Sequence, residues 1–456
     1  MVQRVLLIRP ESDTRITNLP LGLMYIASYI RSEAVRVYIL DLKLKSKTEE
    51  ELEKYLLRVR PNLIGIGCLS ADYKYAQKII PLIKRCLPAA LLVLGGPHVT
   101  SYPEIVLGDK NVDIAIIGEG EHTMLDIING KALDDIAGIA YRKGRQVIRT
   151  PARPFIENLD ELPYPAYDII DMEEYFRSPY AQGFVLASKR RAQIFSSRGC
   201  PFNCVFCHSI FGKRFRKRSP KNILGEIKLL YYKYGVREIH FNDDSFNIDL
   251  KRAKEIMDMI YYSGIKIKIS FPNGIRGDFL DDELLRKMKR AGVYHFCLGI
   301  ESYDPGIQKN IGKALDLRKI NRAITGARKY NIIAGGFLML GFLGETKEQM
   351  LRTIDSAARS GLHTAVFAKV IPFHGTRLFD EATKAGFKIE EDYENVDYSF
   401  TRVNLSGLSE EEFNRLHRLA YFRFYSNPKR LWSLFQLFPD KVALVRHAIR
   451  LVFWHN

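Results

Sequence analysis

The stretch QIFSSRGCPFNCVFC, residues 193–207, decides how this chain is read. Gln193–Ser197 has the residue pattern of a short strand, and the chain leaves it through Gly199 into Cys200, Cys204 and Cys207. Three of the six cysteines fall within eight residues, the pattern of a metal centre and not of a secreted disulfide framework. Three thiolates can wrap one face of a four-iron cluster, which wants four ligands, so one iron stays open. The alternative is a closed structural zinc site that borrows His208 or Cys297. Cys68, Cys86 and Cys297 otherwise read as small buried apolar side chains.

Toward the carboxyl terminus, strands are expected at Glu238–Phe241, Lys266–Phe271, His295–Gly299, Gly335–Leu340 and Ala365–Val370, each followed by a segment of helix length. With the cysteine-bearing unit these make six βα units, enough for an open partial (β/α)6 barrel of TIM type with its chemistry at the carboxyl ends of the strands. Asp243 and Asp244 stand at the second end, Arg276 and Asp278 after the third, and Glu301 at the fourth. Gly341–Glu345 and Pro372–Thr376 close the fifth and sixth.

Toward the amino terminus, residues 4–128 alternate β-branched runs with amphipathic ones, as βαβ units do. Strands are expected at Val5–Arg9, Val35–Leu40, Leu63–Cys68, Leu91–Leu94 and Ile114–Ile117, with helices over Leu21–Arg31, Glu49–Val59 and Ala76–Arg85. The fold class is therefore α/β: a doubly wound, Rossmann-like domain, then the barrel, then a helical cap. Ligands in such a sheet lie beyond the strand ends, here Arg9-Pro10, Ser70, Gly95-Gly96-Pro97-His98 and Gly118-Glu119-Gly120-Glu121. The fingerprint G-x-G-x-x-G is missing after the first strand, which argues against a dinucleotide. Ile139–Ile148 reads as a hairpin, and Pro151, Pro154, Pro163 and Pro165 read as a linker. The expected divisions are residues 1–135, 136–190, 191–385 and 386–456.

Hydrophobic residues at 46% and charged residues at 27% exclude disorder. The best apolar run, Ile332–Leu343, is too short for a bilayer, and no leader pattern opens the chain, so a cytoplasmic location is expected. Net charge +17 points to an anionic partner. Lys213, Arg214, Arg216, Lys217 and Arg218 either steer an anionic substrate or form a solvated, partly paired loop. The region after Arg402 interleaves Phe422, Trp432, Phe435 and Trp454 with Arg423, Lys429 and Arg446, which suits packing over the barrel or contact with a membrane surface.

C-x-x-x-C-x-x-C after a first barrel strand resembles the radical S-adenosylmethionine (SAM) superfamily, and a doubly wound domain ahead of it is similar to the cobalamin-binding subgroup. The resemblance covers roughly residues 4–400 and implies a [4Fe-4S] cluster on Cys200, Cys204 and Cys207, with the open iron on the amino and carboxylate groups of SAM. Phe206 corresponds to the position that contacts adenine. Chemistry then suits Asp243 or Asp244 to the SAM ammonium, Arg276 to its carboxylate and Glu301 to the ribose; the structural alternatives are a helix cap and an ion pair. Leu343 stands where several relatives have proline.

Cobalamin would lie near Pro20, Gly22, Ser70, Gly95, Gly96, Pro97, His98, Gly118, Glu119, Gly120 and Glu121. No histidine fits D-x-H-x-x-G, so the resemblance implies a corrin bound base-off without a protein histidine. The implied reaction is methylation of an unactivated carbon or phosphorus centre through a 5′-deoxyadenosyl radical and methylcobalamin. Cyclisation, rearrangement or oxidation without methyl transfer is the alternative, and a non-catalytic iron–sulfur or nucleic-acid-binding protein lies further off. A transfer-RNA methylthiolating branch needs three more cysteines in the first domain, which has only Cys68 and Cys86. Implied partners are a small-molecule or lipid-like substrate and an external electron donor of flavodoxin or ferredoxin type; nucleic acid is not favoured.

Overall fold

In the computed structural model, residues 3–14, 16–178, 185–208, 210–389, 403–442 and 444 are described. They divide into two units, the first mainly from residues up to 180 and the second mainly from those after it.

The first unit is a sheet of β1 (Arg4–Arg9), β2 (Arg36–Asp41), β3 (Leu63–Gly67), β4 (Leu91–Gly95), β5 (Ile114–Ile116), β6 (Ile139–Lys143) and β7 (Gln146–Arg149), in the order β2-β1-β3-β4-β5-β6-β7. The first five strands run parallel, and alternation along them feeds two cores. Leu6, Ile8, Ile64, Ile66, Leu92 and Leu94 pack beneath α2 (Glu49–Val59) and α3 (Tyr73–Cys86). Val5, Leu7, Leu63, Val93, Ile114 and Ile116 pack against a first helix, α1 (Leu21–Ile30), and a later one over Glu121–Ile128. Apolar side chains on both faces are what a parallel sheet covered on both sides requires. Helix α2 opens on a capping box, Thr48 with Glu51, while α3 continues through Pro81.

The region read as hairpin and linker is part of this unit. Strand β6 pairs antiparallel with β5, Ile116 beside Ile139, so the hairpin extends the sheet. The proline-rich stretch also packs back: Ala166 is buried in the core and its N–H donates to the carbonyl of Met24 at 3.1 Å.

The second unit holds β8 (Arg191–Ile194), a short ribbon of β9 (Ser197–Arg198) with β10 (Arg216–Lys217), then β11 (Glu238–Phe241), β12 (Lys268–Ile275), β13 (Val293–Glu301), β14 (Ile333–Leu340) and β15 (Thr364–Lys369). The six long strands form one parallel sheet in chain order, β8-β11-β12-β13-β14-β15, the open (β/α)6 arrangement. Helices after the strands begin at side-chain caps, among them Ser219, Asp249, Asp281, Asp304, Asp316, Thr346 and Thr376. Strand β12 starts two residues later than expected and runs on to Ile275, past Pro272 and through Gly274 at φ +98° with a shift in register. The expected strand ends at Phe271, and the register shift accommodates the residues that extend it.

The carboxyl-terminal region is helical where described, Glu410–Tyr425 and Pro428–Leu437. The first of these helices lies along the free edge of β15. The Tyr425 hydroxyl accepts from Ala365 N–H at 3.1 Å and donates to its carbonyl at 3.0 Å, and the Tyr421 hydroxyl accepts from Phe367 N–H at 3.2 Å. This covers the unpaired edge that an open barrel leaves. Trp432 is exposed, and Trp454 lies outside the described residues.

Candidate functional site

The cysteine loop leaves β8 and is held from both sides. Val205 N–H donates to the Ile311 carbonyl at 3.0 Å, and Leu378 N–H donates to the Val205 carbonyl at 2.9 Å. Cys207 N–H closes a turn on the Cys204 carbonyl at 3.2 Å. The three thiols lie within electrostatic reach of one another, but they do not converge on a point: among the described residues no three His, Cys, Asp or Glu side chains are placed to hold a single metal ion. Loss of solvent raises the Cys204 thiol and pushes Cys207 up to about 11, with the neighbouring cysteines adding to it.

The residues expected around SAM come together at this loop, with different duties. Lys313, Glu301 and Arg276 all act electrostatically on Cys204, and Asp244 and Lys213 act on Cys207. Of the two aspartates, Asp243 is buried and structural: its Oδ1 accepts from Ser196 N–H, from the Ser196 hydroxyl at 2.9 Å and from the Ser197 hydroxyl at 2.5 Å. Asp244 is exposed, and its Oδ2 accepts from Gly199 N–H at 3.2 Å. Neither caps a helix; Asp249 does that. Arg276 is paired bidentately with Asp278 at 2.9 and 2.7 Å, and its guanidinium lies 3.8 Å from the Phe202 ring centre. Two of its nitrogens, Nε and Nη2, are thus engaged by a carboxylate of the chain itself.

Glu301 has φ +63°, a left-handed conformation that a non-glycine residue holds only when its surroundings impose it. Its carboxylate pairs with Lys313 at 2.5 Å. The Phe206 ring lies 6.0 Å from that of Phe342 and 6.0 Å from Lys313 Nζ. The sequence pattern missed Lys313, which follows a short helix and not a strand, and it missed the part of Phe202. The one signal was Gly312, adjacent to it.

Packing bears on two sequence alternatives. Cys297 is buried with its Sγ 3.7 Å from His295 Nε2, and the His208 ring lies 5.6 Å from that of Phe373; among the described residues neither is grouped with the loop cysteines to hold a metal ion. The basic stretch is largely structural: Arg216 is buried in β10, Arg218 pairs with buried Glu226 at 2.5 Å, and Lys217 pairs with Asp249.

In the first unit, the loops after β3 and β4 are locked together. Gly96 has φ +100°, and a Cβ there would lie 2.8 Å from the Cys68 carbonyl, so this glycine serves loop packing. His98 is buried, its ring stacked 4.1 Å from Tyr73 and 5.0 Å from Tyr102, with Nδ1 3.1 Å from the Ser70 hydroxyl. Burial pushes it down to about 4, so it is neutral. Glu119 is buried and its Oε2 accepts from Ile156 N–H at 2.8 Å; Glu121 and Pro20 are also buried, and Pro97 begins a short helix. A Cβ on Gly120 would lie 2.9 Å from Ile26, and on Gly95 it would meet only Ile116 at 3.7 Å. Gly22 and Gly118, by contrast, face open space. Bare backbone after a strand, as at Gly118, and at a helix start, as at Gly22, is what a broad planar cofactor needs, so the residues fit a corrin. The cysteine loop, with three thiols and cations beside them, likewise fits an anionic cluster and SAM.

Residues 194–357 match the Radical SAM superfamily model and residues 16–128 the B12 binding domain model. An uncharacterized methyltransferase of Pyrococcus horikoshii is 32% identical, with 98% of each chain covered. Cytidylyl-2-hydroxyethylphosphonate methyltransferase of Streptomyces wedmorensis is 28% identical over 94% of this chain and 92% of its own. The methyltransferase TsrM of Kitasatospora setae, solved with cobalamin and a [4Fe-4S] cluster bound, superposes with TM-score 0.71 at 18% identity, over 86% of this chain and 76% of its own. OxsB with aqua-cobalamin and S-adenosylmethionine superposes with TM-score 0.76 at 18% identity, over 100% of this chain and 75% of its own. The chain belongs to the radical SAM superfamily, in the group that carries an amino-terminal B12-binding domain. It is an enzyme of the cobalamin-dependent methyltransferase family, with a [4Fe-4S] cluster, SAM and cobalamin as its cofactors.

Proposed function

We propose that the enzyme methylates an unactivated carbon or phosphorus centre of a small or lipid-like substrate held at the strand ends of the second unit. The observation that carries the reading is the gathering of Lys313, Glu301 and Arg276 around Cys204, with Asp244 beside Cys207. When bound, the cluster supplies the electron that cleaves SAM, and cobalamin carries the methyl group. Cys200, Cys204 and Cys207 would hold the cluster. Exposed Asp244 would accept from the SAM ammonium, Glu301 would accept from the ribose hydroxyls, and Phe206 would lie along the adenine.

In the first unit, the backbone around Gly118 after β5 and Gly22 at the start of α1 would carry the corrin. His98 is buried between Tyr73 and Tyr102 with Nδ1 engaged by Ser70, and this packing supports a corrin that would be held base-off without a protein histidine. Electrons would come from a flavodoxin- or ferredoxin-type donor. Among the described residues no helix is long and apolar enough to cross a membrane. A cytoplasmic enzyme that touches the membrane surface is our reading, supported by exposed Phe422, Leu431 and Trp432 near Arg423 and Lys429.

Three relatives at 25% identity are anaerobic magnesium-protoporphyrin IX monomethyl ester cyclases, which keeps a cyclisation reading alive. Product analysis separates the two. Anaerobically reconstituted enzyme with cobalamin, a reductant and candidate substrates should form S-adenosylhomocysteine and 5′-deoxyadenosine together. Deoxyadenosine without S-adenosylhomocysteine would replace methylation by cyclisation or rearrangement.

A further inference from the structure

We propose that the strand-entrance face of the second unit docks on an anionic lipid surface, with the helix Pro428–Leu437 as its apolar centre and basic loops as its rim. This rests on the membrane-surface reading above and goes further, naming the face, the lipid charge and the orientation.

The helix Pro428–Leu437 is pinned across the entrance ends of the barrel strands. Buried Arg430 donates to the carbonyls of Leu362, Ala358 and Ser360 at 2.8, 2.8 and 3.0 Å, just ahead of β15. Leu434 and Phe438 pack with Tyr294 and Ile333, at the beginnings of β13 and β14. Arg430, Leu434 and Phe438 thus face the barrel, which turns Leu431, Trp432 and Phe435 away from it. Leu431 is exposed, Trp432 keeps 61% of its surface, and Val442 is exposed a few residues on. A helix that covers a core and meets only water carries polar residues on that outer side. Asp440, the exposed acid of this stretch, stands beyond the helix end.

The rim is basic. Lys233, Arg237, Lys266, Lys268, Lys289 and Arg290 are exposed in the segments that lead into β11, β12 and β13, all at one end of a parallel sheet. Among the described residues none of the six forms an ion pair. Residues 231–238, 261–268 and 289–292 contain a single carboxylate, Glu238, which is buried beside His240. Arg237 and Arg290 lie over the rings of Tyr231 and Tyr261 at 4.3 and 4.1 Å. Partial loss of solvent, then the like charge of Lys268, hold Lys289 below the ordinary lysine range. Cations in a last helical turn, such as Lys233, Lys289 and Arg290, also answer the helix dipole. Lys266 and Lys268 do not: they stand past the helix Leu250–Tyr262, on the way into β12.

Cations beside exposed Tyr232, Tyr261 and Tyr262 suit the headgroup level of a membrane, and they would also suit nucleic acid. Leu431, Trp432 and Val442 decide between the two, because apolar side chains gain by entering the acyl boundary and gain nothing from a phosphate backbone. The strand β13, Val293–Glu301, puts this face about 25 Å from Glu301. Docking therefore holds the enzyme at the surface with its thiols and charges turned away from the lipid.

The test is cosedimentation of the full-length protein with phosphatidylglycerol and phosphatidylcholine vesicles. Wild type should bind the anionic vesicles, ignore the neutral ones and be released at about 0.5 M salt. Each lysine at an anionic surface is worth about fivefold, so the triple variant Lys233→Gln, Lys266→Gln, Lys268→Gln should bind about a hundredfold more weakly. Trp432→Ser should also weaken binding, and Phe422→Ser, on the neighbouring helix, should not. Vesicle binding that survives both the triple variant and Trp432→Ser would overturn this face and leave the membrane reading standing. Wild type that binds no vesicle would sink the membrane reading itself, and wild type that binds a short RNA in place of vesicles would give the face to nucleic acid and overturn the proposal.

Discussion

The two aspartates of one motif show what a sequence pattern can and cannot separate. Asp243 and Asp244 are adjacent and chemically alike, yet only Asp244 is exposed, because alternation along the chain turns Asp243 down among Ser196 and Ser197. The three cysteines were legible because their spacing is local. Lys313 was not, because the packing that brings it to Glu301 is set by Gly312 and Gln308 in three dimensions. Glu345 is a further residue whose environment sequence does not reveal. It is fully buried, its Oε2 accepts from Gly341 and Phe342 N–H, and its Oε1 has no partner. Burial pushes its pKa up from 4.5 to about 7. The folded state therefore binds a proton that the unfolded state lacks between these values, so stability from this group is present below pH 4.5 and lost as pH rises through about 7. Comparing denaturant unfolding of wild type and Glu345→Gln across pH 5–8 should show the wild type losing up to about 3 kcal/mol relative to the variant. A pH-independent difference would mean that Glu345 is ionised throughout.

At the scale of elements, the strands and helices were readable because each βα unit repeats the same cues: a β-branched run, then a capping Ser, Thr or Asp. Long-range pairing was not readable. Nothing local says that the hairpin of β6 and β7 should extend the first sheet, or that β12 should accommodate Pro272 and Gly274. The same holds for the helix Glu410–Tyr425, whose tyrosines serve the edge of β15 as hydrogen-bond partners. Removing the hydroxyl in Tyr425→Phe leaves the N–H and carbonyl of Ala365 without it, which should cost about 1–3 kcal/mol. Thermal unfolding followed by circular dichroism checks this; a change under about 0.5 kcal/mol, typical of a neutral surface substitution, would show that the edge is satisfied otherwise.

For the whole molecule, two α/β units each place open backbone or ligand side chains at the carboxyl ends of parallel strands, the position where such sheets bind cofactors. The first unit offers bare backbone at Gly118 after β5 and at Gly22 in the first turn of α1, and the strand ends of the second offer thiols among charges. The net charge of +17 belongs to the surface and is not explained by the site, where Arg276, Arg218 and Lys313 are matched by Asp278, Glu226 and Glu301. Central to this picture is a cluster on Cys200, Cys204 and Cys207 with one iron open to SAM. Electron paramagnetic resonance of the reduced, reconstituted protein, recorded with and without SAM, tests it most directly. A four-iron signal whose g-values change when SAM is added, and that is absent in Cys204→Ala, is the predicted result; a signal indifferent to SAM, or one that survives loss of Cys204, would contradict it.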